Sequence, residues 1–270
     1  MELYTTLESI LVAKKPDEKI ALFRMMYDAY RKGEVTRNSD LPPRVFDEPS
    51  YREFCTVTDP KDVPRRTGLN TPRGQTLLLH AIAHIEYSAI DLAVDAVYRF
   101  RDLGEAFERD WLEVADDEVR HFGMIEALLR ELGSFYGEYP VHDALFEASM
   151  RTLELTERMA VVPRYLEANG LDATPQILRK LHPLRDDPMV QKIIAALHVI
   201  LDEEVDHVRK GDRWFEVACS RGGKDPSVYF EIIERYYPQS FPRKIEVNCE
   251  ARKRAGFDRD ELAKISLSKC

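Results

Sequence analysis

The chain has 270 residues, 44% of them apolar and 32% charged, which is enough to bury a sizeable core and too apolar for a disordered chain. Acids outnumber basic residues 48 to 39, a formal net charge of −9, and this argues against broad nonspecific nucleic-acid binding, which needs a basic footprint. No uninterrupted apolar run reaches the roughly 18 residues of a membrane span, the Met1-Glu2-Leu3-Tyr4 start lacks a secretion-signal layout, and Cys55, Cys219, Cys249 and Cys270 form no Cys-x-x-Cys pair.

A zinc ribbon, a rubredoxin-type iron site and thioredoxin chemistry are thereby set aside, and a reducing cytoplasm is the expected compartment. Along the chain the apolar periodicity is helical almost throughout. Leu3–Ala13 and Asp17–Lys32 come first, the second with Ile20, Phe23, Met26, Tyr27 and Tyr30 on one face. Gly33 and the polar stretch 36–40 end it. Six prolines between Leu41 and Pro72 (Pro42, Pro43, Pro49, Pro60, Pro64 and Pro72) predict an extended wrap rather than long helices.

Four long helical patterns follow. The first spans 75–101 and the second 105–132, with Gly104 between them and Gly133 after. The third spans 142–169, with Pro163 inside and Gly170 as its C-cap. A proline-bounded connection over 171–188 leads to the fourth, 189–220, and short helices are expected at 227–236 and 258–265. The pattern predicts an all-α chain in one compact domain: N-terminal helices and a Pro-rich wrap (1–74), a four-helix bundle (75–221), and a C-terminal helical extension (222–270) packed on it.

The chemistry shows in residues that break the bundle's own pattern. On the first long helix Leu79, Ile82, Ala89, Ile90 and Ala93 form an apolar stripe with Glu86 in its middle. On the second, the stripe Trp111, Val114, Phe122 and Ile125 is interrupted by Glu118 and His121. On the fourth, Leu197, Ile200, Val208 and Phe215 are interrupted by Glu204 and His207. Burying a lone carboxylate is costly, so it protonates, pairs or binds a cation. Residues i and i+3 share a helix face, so each Glu-x-x-His aims one oxygen and one nitrogen at one point. Two such pairs, with a Glu from each of two other helices, make the ligand set of ferritin-like di-iron or di-manganese proteins. Chance supplies about 0.7 such strings in a chain of this composition, so their weight comes from position on the apolar stripes. The third helix offers Glu154, Glu157 and Glu167. By periodicity Glu157 is the central one, with Leu153, Ala160 and Val161 on its face; Glu167 lies past Pro163.

Several stretches resemble a bacterial family of unknown function in the ferritin-like superfamily. They are His84-Ile85-Glu86 with Ala89-Ile90-Asp91-Leu92-Ala93, Glu118-Val119-Arg120-His121-Phe122, and Arg158-Met159-Ala160 with Val162-Pro163-Arg164. Leu166-Glu167-Ala168 with Gly170-Leu171-Asp172, Glu204 with His207-Val208, and the tail residues Asn248, Ala251-Arg252 and Ala255-Gly256-Phe257 belong to the same resemblance. More distantly the chain is similar to the tRNA 2-methylthio-isopentenyladenosine hydroxylase family of di-iron monooxygenases, whose third-helix ligand lies in a Glu-Ala-Arg context. Leu166-Glu167-Ala168 matches it, with Asn169 in place of the Arg, so the resemblance implies Glu167 rather than Glu157.

The implied metal ligands are Glu86, Glu118, His121, Glu167, Glu204 and His207 around two Fe ions, a set that also suits Mn or a mixed Mn/Fe pair. Glu118 and Glu204 would bridge, and Glu86 and Glu167 would be terminal. His84, Asp95, Arg164 and Asp206 are candidates to orient these ligands or balance charge beside them, with Arg158 a further candidate. His80 and His84 share a face offset from that of Glu86 and read as solvated or core histidines, with orientation of a ligand as the alternative for either. Tyr87, Tyr98, Tyr165 and Trp214 read as core aromatics, and the tail basic residues Arg243-Lys244 and Arg252-Lys253-Arg254 as a solvated face or a phosphate contact. The expected function is an O2-dependent di-iron oxidoreductase of monooxygenase type. Its substrate would be a small molecule or modified nucleoside, with an electron-donor protein as partner, no membrane, and a dimer compatible with the pattern. The alternatives are a ferroxidase or iron-binding protein, a tRNA-modifying hydroxylase, and a metal-free helical interaction protein.

Overall fold

Every regular element among the described residues is helical, and among these residues β-bridges are limited to two isolated ones, Glu2 with Thr36 and Val57 with Val141. The computed structural model describes residues 1–38, 42–268 and 270; Ser39, Asp40 and Leu41, where the wrap was expected to begin, and Lys269 lie outside the described residues. Residues 1–147 and 148–270 form two compact units, a division that falls inside the stretch 75–221.

The first unit contains α1 (Leu3–Leu11), α2 (Pro16–Arg31), α3 (Pro72–Arg99) and α4 (Glu105–Glu131). Pro72, expected to close the wrap, instead opens α3. A proline loses nothing at the first helical position, where no intrahelical partner for its N–H exists, and the Thr71 hydroxyl accepts from the Gly74 N–H as the cap. Gly104 holds φ +80, a conformation that favours glycine, and turns α3 back into α4. The hairpin core is Leu79, Ile90 and Val94 of α3 against Phe107, Trp111, Phe122 and Ile125 of α4, all buried. By length and mean hydropathy α3 is apolar enough to cross a membrane although no uninterrupted apolar run in it reaches that length, and 78% of its most apolar window is buried within the protein. It is a core helix. The wrap carries two short 3-10 turns, Ser50–Glu53 and Pro60–Asp62, and lays Tyr51 edge-on against His84.

The expected third helix is not continuous. It is divided into α5 (Ala144–Arg151), α6 (Leu155–Val161), a π-helical turn (Val162–Glu167) and α7 (Ala168–Leu181). Arg158 explains the first break: its guanidinium donates to the Thr152 carbonyl and hydroxyl and to the Ser149 carbonyl, groups that a continuing helix would have occupied. Pro163 explains the second, because a proline inside an α-helix lacks the donor and crowds the preceding turn, and a π turn relieves both. Gly170 does not cap the helix. It lies inside α7, which occupies much of the expected 171–188 connection.

The 34-residue α8 (Pro188–Arg221) begins with Asp187 capping the Met189 N–H. The tail adds α9 (Val228–Tyr236), α10 (Cys249–Arg254) and α11 (Arg259–Ile265), the last with a reciprocal Asp258–Glu261 capping box. Cys249 and Cys270, expected as thiols in a reducing compartment, are joined by a disulfide; Cys55 and Cys219 are free and buried.

Candidate metal centre

In the first unit the antiparallel α3–α4 hairpin sets Glu86 of α3 opposite Glu118 and His121 of α4. All three are buried. The His121 Nδ1 atom lies 3.3 Å from Glu86 Oε2 and 3.5 Å from Glu118 Oε2. One ligand atom from each of the three falls within 4.8 Å of the others. Donors held at about 2.0–2.2 Å on opposite sides of one ion are separated by about 4–4.4 Å, so this spacing accommodates a shared cation with minor adjustment.

Electrostatics points the same way. Burial alone pulls the His121 imidazole down, but hydrogen bonding to Glu118 and Glu86 and the charge of both carboxylates more than offset it and hold the ring at about 11. Two buried acids therefore act on one imidazole, and a field that keeps a proton there also favours a divalent cation. Two carboxylates and an imidazole are a donor set that could hold a metal ion.

In the second unit the Glu204–His207 pair on α8 repeats the i, i+3 geometry, with His207 Nδ1 3.7 Å from Glu204 Oε2, His207 fully buried and Glu204 partly exposed. Glu167 ends the π-helical turn with its Oε2 sealed from solvent. The alternative, Glu157, is committed elsewhere: it accepts from Arg235 at 2.9 Å and from the Tyr236 hydroxyl at 2.5 Å, both on α9.

Residues 12–263 match the family described as "Protein of unknown function (DUF455)", a span that includes every candidate ligand. The chain belongs to the DUF455 family. It is also 36% identical over 273 residues to an uncharacterized protein of Haemophilus influenzae (strain ATCC 51907 / DSM 11121 / KW20 / Rd), covering 97% of this chain and 92% of that protein. No solved structure matches it.

The residues expected to support the ligands of this DUF455 protein have other partners in its fold. His84 engages both ring nitrogens, Nδ1 with the Tyr136 hydroxyl at 2.9 Å and Nε2 with the His142 carbonyl at 2.6 Å. A carbonyl only accepts, so Nε2 carries the proton and Nδ1 takes the phenol's hydrogen bond. Asp95 pairs with Arg99, and Asp206 with Arg209 and Lys210. Arg164 pairs with Asp212 and Glu261, neither of which the sequence singled out. The tail cluster is not uniformly solvated. Arg252 is buried and, with Arg243, pairs with the fully buried Asp172. The signal for these lay in the Asp172 and Ala255-Gly256-Phe257 motifs, which spacing arguments could not connect across some 80 residues. Tyr87, Tyr98, Tyr165 and Trp214 are buried, as core aromatics are.

Proposed function

We propose that the chain is a ferritin-like di-metal carboxylate protein, its four long helical stretches forming the bundle, and that it is an O2-dependent oxidoreductase of an organic substrate. The observation that carries this reading is the buried Glu86–Glu118–His121 constellation, whose two acids and one imidazole on a rigid hairpin are a donor set for a cation. Glu204 and His207 supply a second pair of the same chemistry, and Glu167 a sixth ligand. Two Fe ions are the metals this set fits best, with Mn or Mn/Fe as variants. When bound, such a pair supplies redox chemistry with O2 that side chains by themselves do not.

The chain's own residues have definable tasks in this scheme. Glu86, Glu118, Glu167 and Glu204 carry four negative charges to balance two divalent ions. His121 must surrender the proton that Glu118 and Glu86 hold on its ring before Nδ1 can ligate. The surrounding apolar stripe excludes water and strengthens each of these interactions.

The test is anaerobic loading with Fe(II), desalting, and elemental analysis, followed by O2 exposure. Close to two irons per chain, lowered by Glu118→Ala and by Glu204→Ala, together with an O2-dependent change in the absorption spectrum, support the reading. Trace iron that neither variant changes would overturn it, and growth of a mineral core on repeated Fe(II) addition would replace the oxidoreductase with a ferroxidase.

A further inference from the structure

A π-helical turn is a rare interruption of an α-helix and is frequent at functional sites, so the contacts that surround one bear on what its side chains do. The turn Val162–Glu167 is held on both flanks. On its N-terminal side Gly211 of α8 meets Pro163 so closely that a Cβ at position 211 would overlap the proline's Cβ and Cγ. The next residue on each side is then joined: Arg164 Nε donates to Asp212 Oδ1 at 2.5 Å, and Arg164 Nη2 donates to Glu261 Oε1 of α11 at 2.7 Å. The guanidinium, 4% exposed, lies over the rings of Tyr229, Phe257 and Phe215 at 4.3, 4.8 and 5.1 Å from their centroids, and the Tyr229 hydroxyl donates to the Arg164 carbonyl.

On the C-terminal side the Ala168 carbonyl, next to Glu167, accepts from Arg252 Nη2 at 3.1 Å. Asp212 itself is backed by Gly256, where a Cβ would overlap its Oδ2. Gly211 and Asp212 sit four and five residues after His207 on the same helix. The same two residues therefore tie the segment carrying Glu167 to the helix carrying Glu204 and His207.

We propose that Gly211, Asp212 and Arg164 are positioning residues of the metal site, locking the π-helical turn onto α8 one turn beyond His207 and so fixing where Glu167 stands relative to the Glu204–His207 pair. This rests on the reading of Glu167, Glu204 and His207 as ligands. A network that served stability alone would show its loss in melting and helicity. A positioning network shows it in metal binding while the fold is kept, and partners of ligands in other metal sites typically change affinity by roughly 10- to 100-fold.

The experiment uses the full chain and Mn(II), with elemental stoichiometry, Mn(II) electron paramagnetic resonance, circular dichroism and thermal melting for each variant. Gly211→Ala and Asp212→Asn are compared with Glu167→Gln and with Gly170→Ala, a helical glycine whose added Cβ meets open space. Gly211→Ala and Asp212→Asn are expected to weaken one of two bound ions roughly 10- to 100-fold and to change the resonance as Glu167→Gln does, with helicity retained; Gly170→Ala is expected to match the wild type. If Gly211→Ala fails to fold, Asp212→Asn, which keeps the shape and one acceptor, carries the comparison with Arg164→Lys. Wild-type binding that Glu167→Gln weakens but Asp212→Asn and Arg164→Lys leave unchanged overturns the positioning role while leaving the ligand reading intact. Failure of the wild type to bind, or indifference to Glu167→Gln, removes the ligand reading and the proposal with it.

Discussion

Metal binding at the α3–α4 hairpin should release a proton from His121. Its Nδ1 faces both carboxylates, at 3.3 and 3.5 Å, and Glu118 and Glu86 hold the imidazole at about 11, against burial, where an unperturbed histidine sits near 6.5. At pH 7 the ring is therefore cationic without metal and must be neutral with it. Taking that proton off at pH 7 costs about 5 kcal/mol, four pH units at 1.36 each, and the cost falls tenfold in equilibrium terms with every unit of rising pH. The logarithm of Mn(II) affinity at this site should climb with a slope of about one per pH unit from 6 to 9. Calorimetry in two buffers of different ionisation enthalpy should count about one proton per ion bound there. Glu118→Gln removes one of the two supporting charges, so both the proton count near pH 8 and the affinity should fall. The sign for stability follows from the raised value: without metal, this interaction is fully present below about 6.5 and is lost as pH rises through about 11. Tight binding with a flat pH profile and fewer than about half a proton released per ion would refute the reasoning.

Acid should act elsewhere. His80 Nε2 accepts from the Gly137 and Tyr139 N–H groups at 3.0 and 3.3 Å, and burial pushes the ring down to about 4. The unfolded chain protonates first, so about 3 kcal/mol of stability is lost as pH falls from 6.5 to 4; urea midpoints for His80→Gln should show a shallower fall than the wild type, and an equal fall would count against the assignment. The buried Lys19 pairs with Asp91 and lies 5.3 Å from the centre of the Tyr87 ring. Lys19→Met should cost about 3–5 kcal/mol by leaving the carboxylate uncompensated, and Lys19→Met/Asp91→Leu should recover much of it; additive losses in denaturation would contradict a coupled pair. Glu157→Gln should leave metal stoichiometry at the wild-type value because Arg235 and Tyr236 hold that carboxylate, whereas Glu167→Gln should lower it; the opposite ranking would return the third-helix ligand to Glu157.

The all-α class and the α3–α4 hairpin were legible because one amphipathic period runs through each helix and Gly104 marks the reversal. Glu86, Glu118 and His121 were legible for the opposite reason, as polar residues on stripes that are otherwise apolar, and the hairpin brings them together. The third helix was not legible in detail. Its breaks depend on Arg158 reaching back to the Ser149 carbonyl in α5 and the Thr152 carbonyl just after it, and on Pro163 facing a glycine almost 50 residues away in α8, and periodicity contains neither fact. The supporting arginines were misassigned for the same reason. Long side chains select partners by tertiary proximity, so Arg164 could be flagged as important but not matched to Asp212 and Glu261. Pro72 shows the limit of composition: counted as a breaker, it is a helix starter once Thr71 is seen to cap the turn behind it.

The acidity itself is unevenly placed, which changes what it excludes. Residues 1–147 carry 28 acids against 18 basic residues, and residues 148–270 carry 20 against 21. The near-neutral second half could look like a suppressed basic face, and the average charge of the chain would then be a poor argument against nucleic acid. Four of its 13 arginines belong to no such face. Arg158, Arg164 and Arg252 are buried and Arg243 nearly so; they hold carbonyls and internal acids rather than solvent, and a guanidinium engaged in the core releases no counterions from a phosphate backbone. In the first half, part of the excess is likewise not surface, since Glu86 and Glu118 point inward with His121. Two divalent ions bound by Glu86, Glu118, Glu167 and Glu204 would offset charge that lies mostly inside the protein, so metal loading should change the net charge of the chain far more than it changes the charge of its exposed surface.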